Sequence, residues 1–145
     1  MDGLMSSKVY IRMFISDDNF YSHINPYDSS LCEMIEAGRF EDCKLCVYAN
    51  EGPIPHFHFY SRTKGDYGGG CIRLDLPEYF NHGNHTEKLN RRNIKRVQEW
   101  AKSPHRLLGR YGLNNWEAMC IYWNDSNPDH PLPDNLEMPD YSKLK

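Results

Sequence analysis

Near residue 90 the spacing of apolar residues changes period. Before it, CKLCVYA (43–49), PHFHFYS (55–61) and CIRLDLP (71–77) place apolar residues at alternate positions, as half-buried strands do. NEGPIP and RTKGDYGGG separate these runs, and their Gly and Pro suit turns rather than a ladder. After it, Leu89, Ile94, Val97, Trp100 and Ala101 gather on one side of a helix advancing about 100° per residue. A second helix is expected from Asn114 or Asn115. Asn114 and Glu117 have capping-box spacing there, and Trp116, Met119, Cys120 and Trp123 form a stripe that ends at Asp125-Ser126-Asn127-Pro128. Strands that precede helices, rather than alternate with them, predict an α+β fold: a small antiparallel sheet packed against two C-terminal helices.

The flanks complete that outline. KVYIRMFI (8–15) alternates like a strand and brings the sheet to about four. Ser30 and Glu33 have capping spacing and Gly38 is placed as a stop, which predicts a short helix near 30–37. Gly68 to Gly70 read as a hairpin turn, since no lysine-serine pair or helix start follows them. The tail, with prolines 131, 133 and 139, is expected to be extended and pinned through Leu132, Leu136, Met138 and Tyr141. One domain over 1–145 results, with an N-terminal strand and helix (1–42), a core (43–124) and a Pro-rich tail (125–145).

Composition excludes some settings. No apolar run approaches the ~20 residues that span a bilayer, and MDGLMSSKVY lacks the apolar centre of a secretory signal. Five cysteines, an odd number, then read as reduced thiols of a cytoplasmic protein. Formal charge is −3, yet residues 86–110 hold eight Lys/Arg against two Glu, a net +6 that leaves −9 for the remainder. A basic segment in an acidic body suits an acidic protein surface or a nucleic acid.

His56 and His58 are the sharpest chemical feature. On a strand, residues i and i+2 share a face about 7 Å apart, the arrangement of two ligands of one divalent ion. His82 and His85, after the next strand, could complete a zinc or iron site, with Asp75 or Glu78 as general base of a metal-dependent hydrolase. A cupin-like site would place a glutamate a few residues after the pair, and Tyr60-Ser61-Arg62-Thr63-Lys64 supplies none. The competing reading is a strand whose histidines merely hydrogen-bond to a carbonyl or carboxylate; a third has them meeting a small anion or a partner. Cys43 and Cys46 face opposite sides of a strand and read as core cysteines, not ligands.

The other feature is the outer face of the first helix, where Arg91, Arg92, Lys95, Arg96 and Lys102 carry one sign of charge. Such a face is either solvated or a binding surface for protein or nucleic acid.

GPIPHFHFY, CIRLDLPEYF, LNRRNIKRVQEWAK and NNWEAMCIYWND together resemble the bacterial family of small proteins of unknown function numbered 4160, marked by a PHFH strand. The match covers about residues 43–124 and rests on Pro55-His56-Phe57-His58, Val97-Gln98-Glu99-Trp100 and Asn115-Trp116-Glu117. The resemblance implies a compact α+β fold and a gene of the toxin–antitoxin-like kind found in mobile elements and phages, with a protein partner and no settled catalytic activity. The expectation is a small non-enzymatic interaction or regulatory protein, for instance an inhibitor of a host defence complex. The metal-dependent hydrolase and nucleic-acid binding through helix 88–102 stand as alternatives, and no oligomeric state follows.

Overall fold

The computed structural model describes residues 34–40, 43–63, 66–83 and 85–145. Four strands, β1 (Met34–Phe40), β2 (Cys43–Tyr48), β3 (His56–Thr63) and β4 (Asp66–Arg73), form one antiparallel sheet in sequence order. Two helices follow, α1 (Arg91–Lys102) and α2 (Asn115–Ser126). The α+β architecture expected from the change of period is present, with four strands.

The first described strand departs from expectation. Strand 8–15 lies outside the described residues, and Met34–Phe40, expected in part to be helix, pairs with β2 as a strand. The reason is tertiary. The register shifts between Glu36 and Gly38, and a Cβ on Gly38 would stand 2.3 Å from Cζ2 of Trp100. Gly38 therefore admits the α1 indole to the sheet instead of ending a helix.

The triple glycine is also corrected. Gly68 to Gly70 lie inside β4 and pair with Ser61, Tyr60 and Phe59; the chain reverses between Thr63 and Asp66. A Cβ on Gly70 would meet the Glu87 carbonyl oxygen at 2.2 Å, so glycine lets the chain after β4 press onto the sheet. Run 71–77 is strand only as far as Arg73. Ile72 and Leu74 are buried, whereas Leu76, expected on the same face, is 40% exposed.

One face of the sheet supplies Leu45, Val47, Phe57, Phe59 and Ile72 to a core closed by Val97, Ala101, Met119 and Trp123. Burying each of the Leu, Val, Ile, Phe and Met side chains among them contributes about 1.5–3 kcal/mol. Both helices start on asparagine caps, Asn90 and Asn114; the second was expected, and there Asn114 and Glu117 form the full capping box. The tail is pinned through buried Leu132 and Tyr141, with Leu136 and Met138 packed at the margin. The Tyr141 amide donates to Gln98 Oε1 (2.7 Å) and its hydroxyl to the Arg73 carbonyl (2.8 Å). Among the described residues, no helix is long and apolar enough to cross a membrane.

Candidate metal centre

Phe57 and Phe59 face the core, so strand alternation turns His56 and His58 to the opposite face. Neither meets solvent: they are 0% and 3% exposed. Two other segments close over them. The turn between β2 and β3 passes through left-handed Asn50 (φ 57°) and Gly52 (φ 84°), which folds Glu51 back across the sheet. The chain after β4 brings in His82, anchored beforehand by the Phe80 amide on the Cys71 carbonyl (2.9 Å).

Glu51, His56, His58 and His82 each present a donor atom, and the four atoms lie within 4.8 Å of one another. Glu51 Oε1 is 2.5 Å from His58 Nε2 and 3.6 Å from His56 Nε2; Glu51 Oε2 is 3.0 Å from His82 Nε2. Burial alone would raise the Glu51 carboxyl, but the adjoining His56 and His58 rings outweigh it and hold it well below the usual carboxylate range. His58 is lowered, by burial first and then by the neighbouring His56 and His85 against the pull of Glu51. A carboxylate beside neutral imidazole is the state that ligates a metal.

His56 carries the decisive detail. Its Nδ1 is 2.7 Å from the Ile54 carbonyl, which can only accept, so in the neutral ring Nδ1 holds the proton and Nε2 the lone pair. That Nε2 is buried without a hydrogen-bond partner and points into the group. Such an orphan costs about 1–3 kcal/mol unless something fills it. Metal–ligand bonds near 2.1 Å put tetrahedral donors about 3.4 Å apart, so the His58–Glu51 contact at 2.5 Å would open by about 0.9 Å and no pair, all within 4.8 Å, would close by more than about 1.4 Å.

Of the histidines singled out in the sequence, His56, His58 and His82 come together and His85 does not contribute a donor. It stands beside the group, its ring 5.0 Å from His58 and stacked on His82 at 6.3 Å. Neither carboxylate expected as general base takes part. Asp75 is bound by both Arg73 nitrogens (2.8 and 2.9 Å), and Glu78 is exposed on the chain beyond β4. The carboxylate is Glu51, five residues before the His pair rather than after it. Its only sequence signal is the Glu-Gly-Pro turn leading into the strand.

Cysteines sit close without joining. Cys71 Sγ is 3.5 Å from His58 Nδ1, and burial, then the Glu51 charge, pushes its thiol up to about 12. Cys46, opposite His58 on β2, is likewise pushed up to about 12 by burial. Neither cysteine belongs to the group whose donor atoms lie within 4.8 Å of one another, so the donor set is three imidazoles and a carboxylate. In the basic patch, Arg91, Arg92, Lys95 and Lys102 are exposed on α1 and Arg96 is half-buried.

No protein-family model, no curated protein and no solved structure matches the chain.

Proposed function

We propose that this protein binds one divalent transition-metal ion, zinc or iron, through Glu51, His56, His58 and His82. The observation that carries the reading is His56 Nε2, a buried nitrogen without a hydrogen-bond partner, 3.6 Å from the Glu51 carboxylate and grouped with two further imidazoles. A strand whose histidines merely hydrogen-bond accounts for His58, His82 and the Nδ1 of His56 but leaves His56 Nε2 without a bond. Three nitrogens and one oxygen suit zinc or ferrous iron. The test is elemental analysis of the purified full chain after loading with Zn²⁺, or with Fe²⁺ without oxygen. About one ion per chain, lost in His58→Ala and in Glu51→Ala, supports the site. No retained ion in the wild type overturns it.

A second reading concerns partners. On α1, Arg91, Arg92, Lys95 and Lys102 present exposed positive charge broken by exposed Glu99, and the first turn has no acidic residue. We propose this face as the docking surface of a small regulatory protein for an acidic partner protein, in which charge supplies steering more than raw affinity. Membership in the family marked by the PHFH strand, and a role in a phage or mobile element, belong to this proposal. The check is Arg91→Glu/Lys95→Glu: the double variant should lose the partner's capture while folding normally. Retained capture sinks the reading, and affinity for nucleic acid falling steeply with salt replaces it.

A further inference from the structure

The chain after β4 runs along that strand's outer edge, and its attachment is uneven. Its first part is tied by the Arg73 amide to the Glu78 carbonyl (2.9 Å) and the Phe80 amide to the Cys71 carbonyl (2.9 Å). Its last part is tied by the Glu87 amide to the Gly69 carbonyl (3.0 Å), and the Leu89 amide donates back to the Tyr79 hydroxyl within the same stretch (3.1 Å). Between them the described residues of 81–86 make no backbone hydrogen bond to the sheet; the His85 amide turns inward to the His82 carbonyl (2.9 Å). The polar contact that fastens this middle stretch is His82 Nε2 on Glu51 Oε2, at a ring 38% exposed.

The other donors belong elsewhere. His56 and His58 are on β3 and Glu51 on the β2–β3 turn, itself held by α2 through Asn127. An ion at the site would therefore join the framework to the edge chain through His82 alone. Four protein donors fill a tetrahedral shell, the arrangement of structural rather than catalytic zinc. What the edge chain covers is β4's outer row of backbone groups, which when bare are a template for pairing with another chain.

Resting on the metal reading above, we infer that the ion is a structural latch, closing the described residues 79–83 and 85–88 over the β4 edge through His82. Binding to the latched state shifts local opening by mass action, so exchange of amides in that stretch slows while distant elements are unchanged.

The experiment is amide hydrogen exchange of the full chain, metal-free and with Zn²⁺, with zinc stoichiometry measured on the same samples, for the wild type and His82→Ala. Expected is about tenfold or more slowing at Phe80, His85 and Glu87 in the zinc-loaded wild type, no change in α2, and no slowing in the variant. Zinc bound with Phe80, His85 and Glu87 unaltered overturns the latch and leaves the metal reading standing. Equal slowing in His82→Ala overturns the role of His82 and the latch with it. A wild type that takes up no zinc overturns the metal reading itself, and the latch falls with it.

Discussion

Asn127 at the end of α2 holds Glu51 on the far side of the sheet: its Oδ1 accepts the Glu51 amide at 2.9 Å. Its Nδ2 donates to the Tyr48 carbonyl (2.9 Å) and the Trp123 carbonyl (3.2 Å). One buried amide thus caps the helix and fixes both ends of the turn that carries the carboxylate. Asn127→Ala should cost about 2 kcal/mol in denaturant unfolding, since the Glu51 amide and the Tyr48 carbonyl lose this partner, while the Trp123 carbonyl keeps the Asn127 amide (2.7 Å). It should also weaken zinc binding about 10–100-fold, the usual effect of removing a group that orients a ligand. Competition with a chromophoric chelator measures the second effect; unchanged affinity would mean that the turn holds itself.

His56 separates stability from metal binding. In the metal-free protein its Nε2 is an unsatisfied buried atom among Phe80, Trp123 and the other histidines. His56→Phe removes that cost along with the bond to Ile54, so metal-free stability should change by less than about 1.5 kcal/mol. Added Zn²⁺ should raise the melting temperature of the wild type and leave the variant where it was. A variant stabilised by zinc as much as the wild type would show that His56 is no ligand.

The parts of the fold set by local pattern could be read from the sequence. The α2 capping box, the α1 stripe and the strand holding His56 and His58 are determined within about ten residues, and each is found in place. What failed was decided by contacts remote in sequence. Gly38 resembles a helix stop until Trp100 is known to lie against it, and Gly68 to Gly70 resemble a turn until Glu87 is known to press on them. The site divides the same way. His56 and His58 come from strand alternation, and His82 was found by residue type. Glu51 joins them only because two left-handed residues reverse the turn and Asn127, 76 positions away, holds it.

His105 gives the fold a pH dependence of its own. Buried between the helices, it accepts the Leu107 and Leu108 amides at Nδ1 (3.1 and 3.0 Å), so Nε2 carries the proton toward the Tyr122 hydroxyl at 2.8 Å. Burial, and then the Arg106 charge, lower it from 6.5 to about 4. The unfolded chain binds the proton first, so this stability is complete above about pH 6.5 and is lost as pH falls toward 4. Between pH 6.5 and 5 the loss should be about 2 kcal/mol. His58 acts in the same direction, so the contribution of His105 is the difference between wild type and His105→Asn, whose Oδ1 can still accept the amides. Equal slopes in denaturant titrations of the two metal-free proteins would rule it out.

Gly70 tests how closely the edge chain must approach β4. A Cβ there would stand 2.2 Å from the Glu87 carbonyl oxygen and 2.5 Å from Cζ of Phe59, one a backbone atom and the other the tip of a fully buried ring. Neither can yield without moving the core or detaching the chain, so Gly70→Ala should cost about 3 kcal/mol. Gly69→Ala meets a side-chain nitrogen, Nδ1 of His85, at 2.9 Å, and its next contacts are the Tyr60 ring at 3.2 Å. His85 can turn aside without disturbing the core, so that variant should lose less than half as much. Urea unfolding of the two variants compares them directly. A Gly69→Ala protein as unstable as Gly70→Ala would mean that the His85 ring, not the Glu87 backbone, sets the seating of the edge.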